Sequence, residues 1–133
     1  MIRLPLALAA VSAAALSILG AASAQAAPHG ADRSSCFRLS DLQGTRPDGV
    51  RRIYARTGVR TIYRIDLAFA CPALRARNGI VISPTPGTDE ICGPLDFDLK
   101  ARDIAGPPTP CTVKSITRLT PDEAAALPKK VKP

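Results

Sequence analysis

The sequence predicts a mostly β fold, a small antiparallel barrel or sandwich with one short C-terminal helix and a disulfide staple. Three observations carry this reading. Short segments with two-residue alternation are separated by Gly- and Pro-rich turns, the pattern of small all-β domains. Four cysteines, Cys36, Cys71, Cys92 and Cys111, are spread widely through a short chain. One helix start is written near the end, at Thr120-Pro121-Asp122-Glu123.

The first residues stand apart from the fold. Met1-Ile2-Arg3 gives a short positive region, and Leu4 to Gly20 is an apolar run of 17 residues. Ala22-Ser23-Ala24 and Ala24-Gln25-Ala26 then offer the small residues that a signal peptidase needs. Residues 1–26 read as a secretory signal peptide, cleaved after Ala24 or Ala26. A membrane anchor is the alternative, but the run is short and Ala-rich, so no transmembrane anchor is expected after cleavage. No Cys precedes Cys36, so a lipid-anchored export signal lacks its acceptor. The location implied is periplasmic or secreted. Residues 27–35 read as a flexible N-terminal segment, 36–127 as a single disulfide-stabilised β domain and 128–133 as a basic tail.

In chain order, Cys36-Phe37-Arg38-Leu39 is a short strand. Asp41–Gly49, with Gly44, Pro47, Asp48 and Gly49, reads as a loop. Val50–Thr57 and Arg60–Phe69 form a hairpin around Gly58. Pro72 stops the second arm, Ala73–Arg77 is a helical turn, and Asn78-Gly79 turns into a strand over Gly79–Ser83. Ser83–Gly87 is a loop. Leu95–Arg102 alternates cleanly, with Leu95, Phe97, Leu99 and Ala101 against Asp96, Asp98, Lys100 and Arg102. Gly106-Pro107-Pro108-Thr109-Pro110 is a connection, because consecutive prolines cannot sit inside a sheet. Cys111–Leu119 is the closing strand. At Thr120 the pattern is a capping box with Pro at the first helical position, and Pro128 ends that helix. Lys129-Lys130-Val131-Lys132-Pro133 reads as a frayed tail.

Aromatic residues are few (Phe37, Tyr54, Tyr63, Phe69 and Phe97, with no Trp), so the core must come from Ile, Val and Leu. Covalent ties therefore matter. An even cysteine count in an exported chain reads as two disulfides. Four cysteines allow three connectivities. The favoured one joins Cys36–Cys111 and Cys71–Cys92, tying the opening strand to the closing one and closing the Pro/Gly-rich excursion between them. Each would contribute about 3–5 kcal/mol in the chain-entropy model.

A metal site is disfavoured. The cysteines lack the close pairs of zinc sites, and the only His, His29, lies in the segment before the domain. No cofactor motif is present. Nucleophilic catalysis has no base near Ser40, Ser83 or Ser115. Asp89-Glu90 reads as a turn, and Asp96 with Asp98 as the polar face of a strand, rather than as catalytic carboxylates or a calcium site. No catalytic residue is assigned, and the chain reads as a non-enzyme.

Charge points elsewhere. The chain carries 18 basic and 11 acidic side chains, a net charge of +7, which loss of Arg3 with the leader lowers by one. Expected partners are anionic: an envelope polymer, a lipid headgroup or an acidic protein. Nucleic acid is not expected, since export and the few aromatics argue against base stacking. Val50–Asp66, VRRIYARTGVRTIYRID, concentrates the charge. With a three-residue loop, Thr57-Gly58-Val59, one face holds Arg52, Tyr54, Arg56, Arg60, Ile62 and Arg64. The other holds Ile53, Ala55, Thr61, Tyr63 and Ile65, with Arg51 as its one misfit. One buried face and one wet face suit an antiparallel sheet. This register sets Arg56 against Arg60 and Arg52 against Arg64, and like charges directly opposite are unfavourable. Solvent, an anionic partner, or Asp96 and Asp98 would relieve it. Arg52, Arg56, Arg60 and Arg64 are thus the candidate ligand-binding residues. A second reading is a small inhibitor or accessory subunit of an envelope enzyme, acting through Ser83–Gly93. A third, a hydrolase, would need Asp96 or Asp98 in a concave pocket.

The order of features resembles an uncharacterised family of small exported bacterial four-cysteine proteins. Cys36-Phe37-Arg38 opens the domain, and Tyr63-Arg64-Ile65-Asp66-Leu67 leads to Cys71-Pro72-Ala73-Leu74. Ile91-Cys92 precedes Asp96, and Cys111-Thr112-Val113 leads to Leu119-Thr120-Pro121-Asp122-Glu123-Ala124. The resemblance spans about Cys36 to Leu127. It implies export and a cysteine framework, and says nothing of function.

Overall fold

The computed structural model describes residues 35–103 and 105–133. The signal peptide read at 1–26, and all of the N-terminal segment but Ser35, lie outside the described residues. Nine strands are described: β1 (Phe37–Arg38), β2 (Leu42–Asp48), β3 (Arg52–Thr57), β4 (Thr61–Leu67), β5 (Ile80–Pro84), β6 (Glu90–Ile91), β7 (Phe97–Ala101), β8 (Thr109–Pro110) and β9 (Val113–Arg118). One α-helix, α1 (Pro121–Ala126), follows. The strands form three antiparallel sheets, β1-β6, β2-β3-β4-β9 and β5-β7-β8. The mostly β class, the short C-terminal helix and the two disulfides agree with the sequence reading. No sheet closes into a barrel among the described residues.

The main core follows from strand alternation. Ile53 and Ala55 of β3 and Tyr63, Ile65 and Leu67 of β4 point to one side of the four-stranded sheet. There they meet Phe37 and Ile91 of the small sheet and Phe97, Leu99 and Ala101 of β7. Ile53 lies directly opposite Ile65, and both are fully buried. Tyr63 anchors β1 to the larger sheet. Its ring packs 4.8 Å from that of Phe37, and its hydroxyl donates to the Cys36 carbonyl oxygen at 2.9 Å.

The segment Asp41–Gly49 is a correction. It is largely a strand, β2, pairing with β3 from Leu42↔Thr57 to Asp48↔Arg52. Its Gly and Pro residues suggest a loop, but β2 is an edge strand, where Pro47 can face away from the ladder without losing a bond. The register shifts between Leu42 and Gly44, so Gly44 marks an irregularity in the strand. Gly49, at φ +70, makes the turn into β3.

The disulfide pairing is a second correction. The favoured pairs Cys36–Cys111 and Cys71–Cys92 are not formed; the bonds are Cys36–Cys92 and Cys71–Cys111. The reason is register. Phe37 pairs with Ile91 in antiparallel β1–β6, which sets Cys36 opposite Cys92 with Cα atoms 4.1 Å apart. The two-residue strand β6 is too short to read from the sequence. Leu67 pairs with Val113, so the chain leaving β4 and the chain entering β9 emerge at the same end of that ladder. This brings Cys71 to Cys111, with Cα atoms 5.7 Å apart.

Candidate anion-binding site

The arginine-rich hairpin forms as β3 and β4, and its faces sort as the alternation predicts. The cross-strand partners do not. Thr57 pairs with Thr61, so the loop is Gly58-Val59-Arg60, with Gly58 at φ +55. Arg52 then lies opposite Asp66, Tyr54 opposite Arg64 and Arg56 opposite Ile62. The expected Arg56–Arg60 and Arg52–Arg64 oppositions are absent. A slide of two residues keeps every side chain on its own face, so hydrophobic patterning cannot distinguish the two registers. Charge can: the observed one replaces arginine pairs with an arginine–aspartate pair.

Asp66 therefore organises one end of the strip. Arg52 Nε donates to its Oδ1 at 3.1 Å, and Arg64 Nε donates to its Oδ2 at 2.9 Å. A weaker ion pair joins Arg52 to Asp48 at 3.7 Å. The hydrogen bond to Asp66, followed by one with Tyr54, pushes the Arg52 guanidinium up from its ordinary value. Neither Asp96 nor Asp98 takes this role. Asp96 Oδ2 accepts from the backbone N–H groups of Cys92 and Gly93 at 2.8 and 2.7 Å and fixes that turn. Asp98 is exposed on β7 opposite Ser83.

The expected wet face is also partly covered. Tyr54 and Ile62 are buried beneath α1 and the chain after it, in a second cluster with Leu119, Ala124 and Val131. The tail is not frayed along its length: Val131 is buried in this cluster. Helix α1 starts as read. Thr120 and Glu123 exchange both bonds of the capping box, and the two hydrogen bonds from Thr120 hold the Glu123 carboxyl below its usual range.

At the hairpin tip no acidic side chain among the described residues faces the basic ones. Arg56, Arg60 and Lys132 line a cleft of about 350 Å³ with Val59, Ile62, Pro121, Ala124, Ala125 and Pro133. Arg60 also borders a neighbouring depression of about 610 Å³, which includes Arg118 and Thr120. No Asp or Glu lines either space among the described residues. Arg56 Nε is, among the described residues, the one buried side-chain nitrogen or oxygen without a hydrogen-bond partner. Such a group costs about 1–3 kcal/mol unless something accepts from it. A separate cavity of about 110 Å³ lies beside Arg46, Arg77 and Lys130.

The four candidate arginines thus divide into two pairs. Arg52 and Arg64 are held by Asp66, while Arg56 and Arg60 open onto the cleft. Sequence reasoning missed Lys132, whose neighbour Val131 docks the tail beside the hairpin; an apolar residue among lysines was its only signal. Cys36, Glu90 and Cys92 bring metal-type ligand atoms within 4.8 Å of one another, but the two sulfurs are bonded to each other and offer no thiolate.

The chain matches the model of a Family of unknown function (DUF6491) over residues 1–132, and it belongs to that family. Comparisons with curated proteins and with solved structures find no match.

Proposed function

We propose that the protein is an exported, non-enzymatic binding module whose partner is anionic, an envelope polymer, a lipid headgroup or an acidic protein surface. One observation carries the reading: Arg56 and Arg60 share a cleft lined by no Asp or Glu side chain among the described residues, while Asp66 holds Arg52 and Arg64. Arg56 and Arg60 are therefore the binding pair, and Arg52 and Arg64 are chiefly structural. The leader-like start and the two disulfides support a periplasmic or secreted location. No helix among the described residues is long and apolar enough to cross a membrane.

The test is a salt titration of binding to vesicles containing phosphatidylglycerol and to a soluble acidic polymer. Binding to at least one probe should weaken steeply as salt rises. Binding to neither at low salt, or affinity indifferent to salt, would contradict the reading.

A second reading, a small inhibitor or accessory subunit of an envelope enzyme, draws support from the 83–93 loop. The Cys36–Cys92 bond and the Asp96 hydrogen bonds brace its end, and nearby Leu95 is 89% exposed. Recovery of one stoichiometric protein partner, lost on Leu95→Ser, would favour it.

A further inference from the structure

We infer that the cleft at the hairpin tip takes a small amphiphilic anion, one oxyanion group joined to a short apolar body. This rests on the anion-binding reading and adds the class of ligand. Three cationic side chains, Arg56, Arg60 and Lys132, line a space that no Asp or Glu side chain among the described residues enters. Arginine fits a planar carboxylate through paired N–H donors.

The apolar part separates this cleft from a plain polyanion surface. Its other lining comes from Val59, Ile62, Pro121, Ala124, Ala125 and Pro133. Val59 is 84% exposed at the hairpin tip, next to Arg60. An extended anionic polymer would meet the guanidinium groups and leave Val59 in water. A ligand with a short hydrocarbon body would cover it. The volume of about 350 Å³ lies at the lower end of the range for small-ligand pockets, roughly 300–1,000 Å³. A medium-chain carboxylate meets these demands.

The experiment titrates the disulfide-bonded protein with octanoate, acetate, a soluble acidic polymer and phosphatidylglycerol vesicles, following the Val59 methyl resonances and the bulk affinity. Octanoate should bind about tenfold or more tighter than acetate and shift the Val59 methyls. Val59→Ser should weaken octanoate ~threefold or more and leave acetate unchanged. Arg60→Gln should weaken both, and its unchanged melting temperature would separate lost binding from lost folding. If polymer or vesicles bind through Arg56 and Arg60 while octanoate binds no better than acetate, the ligand class is wrong and the anion-binding reading survives. If none of the four probes binds, both fail.

Discussion

Arg52 lies directly opposite Asp66 across the β3–β4 ladder, with its Nε 3.1 Å from Asp66 Oδ1, and the other oxygen of the same carboxylate holds Arg64. One aspartate thus engages half of a four-arginine strip. Replacing it by asparagine should remove the charge that holds both guanidinium groups, leaving Arg52 its weaker ion pair with Asp48. Asp66→Asn is expected to cost about 1 kcal/mol, because the pairs are only partly buried. The same variant should bind a soluble acidic polymer more tightly than the parent. Urea melts and a binding titration check the two effects separately. A variant that is less stable but binds no better would show that the freed arginines do not reach the partner.

The central isoleucine pair sets the stability of the larger sheet. Ile65 is fully buried opposite Ile53, at the meeting of the sheets. Ile65→Ala should cost about 2–5 kcal/mol in denaturant unfolding. A cost well below 1 kcal/mol would mean that the sheet packs elsewhere.

The disulfides give a direct chemical test of the register. Digestion under non-reducing conditions should yield linked peptides joining Cys36 to Cys92 and Cys71 to Cys111. Replacing Cys71 and Cys111 together by serine should lower stability by about 3–4 kcal/mol. Peptides joining Cys36 to Cys111 would contradict the β1–β6 pairing.

The capping box supplies a pH dependence. The Thr120 hydrogen bonds depress the folded-state pKa of Glu123. Their stabilisation is therefore present above the ordinary value of 4.5 and fades as pH falls through the depressed folded value. The melting temperature of the parent should exceed that of Glu123→Ala at pH 7, and the gap should narrow in acid. Thr120→Ala should cost about 1 kcal/mol at pH 7. A gap unchanged between pH 7 and pH 3 would remove Glu123 from the cap.

Much of this architecture is legible from the residues. Leu95–Arg102 alternates, and Phe97, Leu99 and Ala101 are indeed buried, although Leu95 lies before the strand and is exposed. Thr120-Pro121-Asp122-Glu123 specifies the helix start through short-range chemistry. What was not legible depends on long-range pairing. Pro47 and Gly44 disguise an edge strand, and two-residue β6 decides which cysteine meets Cys36. The hairpin faces follow from parity, but the choice between registers two residues apart rests on Asp66, whose charge matters only once Arg52 stands opposite. The candidate arginines were visible as a group. Their division was not, because it depends on that register and on the docking of the tail through Val131.

The most direct measurement compares two double variants, Arg56→Gln/Arg60→Gln and Arg52→Gln/Arg64→Gln, in binding to the anionic probe that the parent binds best. Both remove two charges, so a purely non-specific attraction would fall equally. The division of the strip predicts that the first pair loses binding about tenfold or more, while the second loses little affinity and some stability. Equal losses, or the larger loss from Arg52 and Arg64, would contradict it.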